Sequence, residues 1–205
     1  MNKLWIALVA ATLSFTSLAQ ESGNYLLIIE NDTLQIDLDE ETTYNLSRKQ
    51  KLKIKLIQPE LLTYSDDMVS FKHKSGMSVT NSQVDVGISQ CMLMSPTGNG
   101  FMIQKYETIN PTSLSQFLMH ELTKESIGYG YKSEQKPFKK TLASGEVIEG
   151  VQNTLTYQGE EEIYTVASYG RKDRGILVVT MMLSPEFTAD SDMIEEFLNT
   201  LVIKL

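Results

Sequence analysis

ILVVTMML, residues 176–183, decides the fold. Every position except Thr180 is apolar, so both faces of a strand here must be covered. A strand wet on one side would alternate apolar with polar residues. The stretch therefore reads as an inner strand of a sheet that carries helices on at least one face. IYTVASYG (163–170) precedes it across the polar turn RKDRG and completes a central hairpin. Downstream, Asp190 and Asp192 stand at the start of a helix, where carboxylates suit the free N–H groups and the dipole. Met193, Ile194, Phe197, Leu198 and Leu201 form the apolar stripe of that helix, and VIKL closes the chain as one more strand.

Working back from this core, residues 24–58 carry strand signals at short spacing. Leu34, Ile36 and Leu38 point one way, and Gln35, Asp37 and Asp39 the other. KLKIKL sets Lys51, Lys53 and Lys55 outward. This reads as a small meander whose wet face brings the acids and lysines to the same side, ended by Pro59. Beyond it, Val69, Phe71 and His73 share one side of a short strand, and residues 84–95 form a longer one. TGNG (97–100) makes a hairpin turn, since Asn-Gly accepts positive φ at both positions. A strand then returns over residues 101–106. NPTSLSQFLMHELTKES opens a helix at Asn110-Pro111, or through a capping box of Ser113 and Gln116. Leu114, Phe117, Leu118 and Leu122 are its expected buried stripe, and Gly128 and Gly130 break it. Strands resume from residue 136, with Val151, Asn153, Leu155 and Tyr157 alternating against Gln152, Thr154 and Thr156.

The first nineteen residues have the pattern of a secretory leader: Lys3, then an apolar run too short to span a bilayer, then Ser17-Leu18-Ala19 before the cleavage point. The expected organisation is a leader over 1–19, the meander over 20–59 and an α+β domain over 60–205. Localisation follows as the periplasm or the cell exterior, with no membrane insertion once the leader is gone. The 205 residues carry 18 basic and 26 acidic side chains, a net charge of −8, and losing Lys3 makes the chain more acidic still. With no basic stripe, nucleic acid is excluded as a partner. Cys91 is the lone cysteine, lies in the apolar run GISQCMLM, and reads as a small buried hydrophobe.

Candidate chemistry is sparse. His73 and His120 fall in separate elements, without ligands or bases at a diagnostic spacing, so no catalytic residue, metal site or cofactor is assigned. No GxSxG elbow, P-loop, GxGxxG or HExxH occurs. The carboxylate clusters Asp66-Asp67, Glu160–Glu162 and Glu195-Glu196 read as solvated charge at turns and on a helix face. Tyr129 and Tyr131, in the Gly-flanked loop after the first helix, are the candidate binding residues: amphipathic rings in an adaptable frame suit recognition. The competing reading has one or both covering the end of the core.

From residue 61 to 205 the order is a strand pair, the NPTSLSQFLMHEL helix, strands ending in a turn, the double-faced hairpin and SDMIEEFLNTLVIKL. This layout resembles the PsbP-like family, named for an extrinsic subunit of photosystem II and shared by a Ran-binding nuclear import factor and by bacterial exported proteins. The resemblance implies an α+β fold, a central antiparallel sheet between helices in an α/β/α sandwich. It also implies a non-catalytic binding or assembly factor working through contact with a protein partner; a monomer is compatible with that reading. Two other classes stay open: a small-molecule carrier with an apolar cleft between sheet and helix, and a hydrolase with an unrecognised site.

Overall fold

A computed structural model describes residues 25–205, so the expected leader over 1–19 lies outside the described residues. The chain divides into two compact units at Gln58 and Pro59.

The described part of the first unit consists of two hairpins. Strand β1 (Tyr25–Ile29) pairs with β2 (Asp32–Ile36), and β3 (Glu41–Asn45) with β4 (Lys51–Lys55). They do not form the continuous meander read from the sequence. Alternation stops at Ile36 because Asp39 adopts a left-handed φ of 63°, and a single parallel bridge, Leu38 to Leu56, ties the hairpins' ends. The lysine partners accordingly come from around that break: Asp39 lies 3.6 Å from Lys55, and Glu41 of β3 lies 2.7 Å from Lys53. Tyr44 adds a tie between the hairpins by donating to Asp32 at 2.7 Å. Ile36 is buried, while Leu26 and Ile28 of β1 remain exposed.

The second unit is built on a seven-stranded antiparallel sheet. Its strands are β7 (Thr80–Asp85), β8 (Ile88–Met94), β9 (Gly100–Tyr106), β10 (Lys132–Thr141), β11 (Val147–Tyr157), β12 (Glu160–Arg171) and β13 (Arg174–Met182). Their spatial order is β10-β11-β12-β13-β9-β8-β7. The strand containing ILVVTM is thus the middle one, and its two parities serve two cores. Val178 joins Phe101, Ile103 and Phe197 on one face, whereas Val179 joins Met102, Met119 and Val166 on the other. The long strand expected over 84–95 is instead the β7–β8 hairpin, turned at Val86-Gly87, where Gly87 has φ 71°.

One face receives helix α1 (Ser115–Tyr129), entered through a 3₁₀ turn over Pro111–Leu114. Asn110 caps that turn by accepting from the Thr112 N–H at 3.1 Å; the alternative Ser113–Gln116 box is not used. This entry is possible because Gly170 and Gly175 of the central hairpin lack side chains. A Cβ on Gly170 would lie 2.1 Å from Asn110 Oδ1, and one on Gly175 would lie 2.6 Å from the Pro111 ring. The buried face of α1 is not the expected Leu114–Phe117–Leu118–Leu122 stripe. Ser115, Met119 and Thr123 are buried, Leu118 and Leu122 are half-buried, and Phe117 is exposed. Small side chains at 115 and 123 let the helix sit close to β11 and β12, which rotates Phe117 outward.

The other face is covered jointly by helix α2 (Thr188–Thr200) and a small sheet of β5 (Leu61–Ser65), β6 (Val69–Lys74) and β14 (Val202–Ile203). Phe71 of β6 meets Phe101 of β9 and Phe197 of α2 edge-on, both at 5.2 Å between ring centroids. The expected α/β/α sandwich therefore does not form. One face carries a single helix, and the other carries a strand layer with α2 packed chiefly against β6. The outer strands are covered least: β7 is exposed throughout and β10 nearly so, although Tyr64 of β5 donates to Asn81 of β7 at 2.6 Å and Lys140 of β10 to Asn199 of α2 at 2.8 Å. Lys136, Pro137 and Lys139 protect the β10 edge from further strand pairing.

Candidate binding surface

Helix α1 ends at Tyr129 because Gly130 takes φ 118°, a left-handed value that glycine adopts without strain. The Gly130 N–H donates to the Ser126 and Ile127 carbonyls, and the Tyr131 N–H to Ser126 at 3.0 Å. This cap sends the chain directly into β10. Antiparallel register then pairs Lys132 with Thr156, so Tyr131 arrives beside Tyr157 at the end of β11. Gln158 (φ 51°) and Gly159 (φ 93°) make the tight turn into β12, leaving Tyr157 and Glu160 as partners.

Three tyrosine rings meet there. Tyr131 stacks on Tyr157 at 5.2 Å, and Tyr129 meets Tyr157 edge-on at 5.3 Å. Tyr129 is 71% exposed, while Tyr131 is half-buried against the α1-side core. Tyr131 thus covers the end of that core, as the competing reading has it, and Tyr129 lies exposed beside it. Tyr157 is the member that the sequence reading placed only in the alternation of Val151, Asn153 and Leu155, without a role in the surface.

A cleft of about 620 Å³ opens beside Tyr131, bounded by Glu160, Glu161, Glu162 and the Leu183–Glu186 connection. The Tyr131 hydroxyl donates to Glu160 at 3.0 Å. Glu162 accepts from Ser126 at 2.9 Å and from Tyr164 at 3.1 Å. The hydrogen bond to Glu160, with desolvation and the charges of Glu160 and Glu162, pushes the Tyr131 phenol up to about 12. Burial first, then Glu162, raises Tyr164 to about 12. Glu162 is therefore not merely solvated charge, although Glu160 and Glu161 are exposed as expected.

The remaining candidates are scattered. His73 is buried in β6, with Nδ1 donating to the Lys74 carbonyl at 3.0 Å, and His120 is exposed on α1. Cys91 is fully buried, and burial pushes its thiol up to about 11. Asp66 departs from its expected solvated state: it pairs with buried Lys105 at 2.6 Å and accepts from Met68 N–H, Val69 N–H and the Tyr64 hydroxyl. A second cleft, about 550 Å³, lies where the start of α1 crosses the sheet, with Ser113, Ser115, Gln116 and Ser168 in its walls. Among the described residues, no group of three or more His, Cys, Asp or Glu could hold a metal ion, and no helix is long and apolar enough to cross a membrane.

No family model matches the chain, and no curated protein matches it. Among solved structures it is similar to the solution structure of cyanobacterial PsbP (CyanoP) from Synechocystis sp. PCC 6803. The two are 10% identical, the match covers 70% of this chain and 92% of that one, and the TM-score is 0.48.

Proposed function

We propose that this protein is an exported, non-catalytic binding or assembly factor that holds a protein partner through the tyrosine surface at the end of α1. The observation that carries the reading is the cluster of Tyr129, Tyr131 and Tyr157 on a frame fixed by a helix cap and a hairpin turn. Tyrosines held this way supply large amphipathic contact area at little cost in side-chain ordering. The resemblance of the strand and helix order to the PsbP-like family supports binding over catalysis. So does the placing of His73, Cys91 and His120 on three different elements, β6, β8 and α1, with the Cys91 thiol kept protonated by burial. An apolar-ligand carrier has less support, because the cleft under the start of α1 sets Ser113, Ser115, Gln116, Glu149 and Ser168 among its apolar groups.

Crosslinking in the host envelope, followed by mass spectrometry, tests the reading. Tyr129→Ala should melt near the wild type and lose most of the crosslinked partner, an affinity loss of about 1–4 kcal/mol. Tyr129→Ala/Tyr131→Ala should lose it completely. Undiminished capture by both variants refutes the surface. Export carries its own check: Trp5, the lone tryptophan, lies in the leader, so protein recovered from the envelope should show tyrosine emission only.

A further inference from the structure

We infer that β1 is an association edge, along which two copies of this chain pair antiparallel about Leu27 and join their β1–β2 hairpins into one four-stranded sheet. Three observations within the first unit point to such an occupant, and none of them involves the tyrosine surface. The first is the backbone. Ile29 and Asp32 close a two-residue turn, so the register turns Tyr25, Leu27 and Ile29 toward β2 and leaves the N–H and C=O groups of Leu26 and Ile28 on the open side. Among the described residues, β2 is the one strand paired with β1. The second is the side chains of those same two residues: Leu26 is 64% exposed and Ile28 71%. The third is the core. Ile36 is the one buried apolar residue among the described residues of this unit, and a hollow of about 210 Å³ stays open among Tyr25, Leu27, Ile36, Ile54 and Leu56. Two-stranded sheets are marginal by themselves, and further strands sharing an apolar face are what stabilise them.

An extended apolar strand answers all three, and β1 is itself such a strand. YLLII carries no charge, whereas β2 holds Asp32, β3 holds Glu41, and β4 holds Lys51, Lys53 and Lys55. Charged side chains guard the other strands against further pairing, and β1 lacks that guard. Pairing about Leu27 sets Leu26 of each copy opposite Ile28 of the other, so four apolar side chains meet on one face at cross-strand distance. The arrangement is isologous and closes at two copies, without growing into a fibre. The Glu30 carboxylates of the two copies fall at opposite ends of the ladder, about 20 Å apart by strand rise and beyond the screening length at physiological salt. A lipid surface would cover Leu26 and Ile28 but leave their outward backbone groups dry and unpaired.

Sedimentation equilibrium of the purified protein from about 5 μM to about 500 μM should show monomer and dimer with no larger species, because an interface at the small end of the size range holds weakly. Leu26→Lys/Ile28→Lys sets ammonium groups opposite each other across the dyad and should weaken the dimer about tenfold or more. Leu26→Thr/Ile28→Thr keeps β-forming side chains, should weaken it in the same direction, and guards against a lysine variant that misfolds. Phe117→Lys, which changes an equally exposed apolar side chain on α1, should leave it unchanged. Cysteines read the register, since Cys91 is buried. Leu27→Cys should give a disulfide-linked dimer on mild oxidation, because the dyad brings its two Cα atoms to about 4.5–5.5 Å. Leu26→Cys and Thr33→Cys should not. Equal crosslinking at all three positions would overturn the inference, as would a monomer throughout the range or a dimer unmoved by both double variants. If the monomeric protein loses a crosslinked envelope protein through Leu26→Lys/Ile28→Lys, the edge serves another chain. If it co-sediments with phosphatidylcholine vesicles, the edge serves lipid. Either result overturns the second copy.

Discussion

Asn99 and Asp190, 91 residues apart in the chain, meet at 2.9 Å, the Asn99 amide donating to the Asp190 carboxylate. Asn99 is fully buried, and it also binds Ser184 in both directions, donating to its carbonyl and accepting from its N–H at 2.9 Å each. Ser95 and Thr97 add hydroxyl donors to Asp190. The TGNG turn is thus a clamp that fixes the β13–α2 connection, and with it the Ser184–Glu186 wall of the acidic cleft.

Asn99→Ala should cost about 2–4 kcal/mol, because it removes both side-chain partners of the half-buried Ser184 backbone and one donor to Asp190. Urea unfolding of the variant reads this directly. A loss below about 1 kcal/mol would mean that water replaces the amide and the clamp is not structural.

Acid should expose the same clamp. Burial alone pushes Asp190 up, but the donors Thr97, Ser95 and Asn99 outweigh it, and the carboxyl sits below its ordinary range. A carboxyl depressed in the folded state contributes stability above its unfolded value, near 4, and that contribution disappears as pH falls through the folded value. Unfolding free energy should therefore fall more steeply below about pH 4 in the wild type than in Asp190→Asn. Identical slopes would contradict the assignment.

Val178→Asp and Val179→Asp should each cost several kcal/mol, since either change forces an unpaired charge into a different core. Thermal melts of the two variants check it. If one is silent, one face of the sheet is wet.

The central strand was legible because a run such as ILVVTMML has no polar parity to expose, and the α2 stripe because Met193, Ile194, Phe197 and Leu201 recur at one period. Two kinds of information were not. Hairpin register is set by turns such as Val86-Gly87 and Gln158-Gly159, and only the register brings Tyr157 beside Tyr131. The sequence did hold a clue there: a turn at Ser144-Gly145 fixes which residue of β11 faces the start of β10. Close packing of small side chains is likewise invisible to hydrophobicity, so the apolar period passes over the buried Ser115 and Thr123 and selects the exposed Phe117.

The α1 face gives a discriminating pair. Phe117→Ser should change stability by less than about 0.5 kcal/mol, because the ring is 65% exposed. Met119→Ala should cost about 2–4 kcal/mol by leaving a cavity against Val151 and Val179. The opposite ranking in guanidinium unfolding would restore the sequence-derived stripe.

The ion pair of Asp66 and Lys105 should prove asymmetric. The side chains are 19% and 9% exposed, so neither charge is well hydrated. Asp66→Ala leaves a buried ammonium with no anion and should cost roughly 3–5 kcal/mol. Lys105→Ala leaves Asp66 with three other donors, the Met68 and Val69 N–H groups and the Tyr64 hydroxyl, and should cost less, about 2–3 kcal/mol. Lys105→Met, which refills the volume without the charge, should recover part of that loss. Chemical denaturation of the three variants orders them. If Lys105→Ala proves the most damaging, the lysine stem rather than the charge is what the core requires, and Lys105→Met should then be nearly neutral.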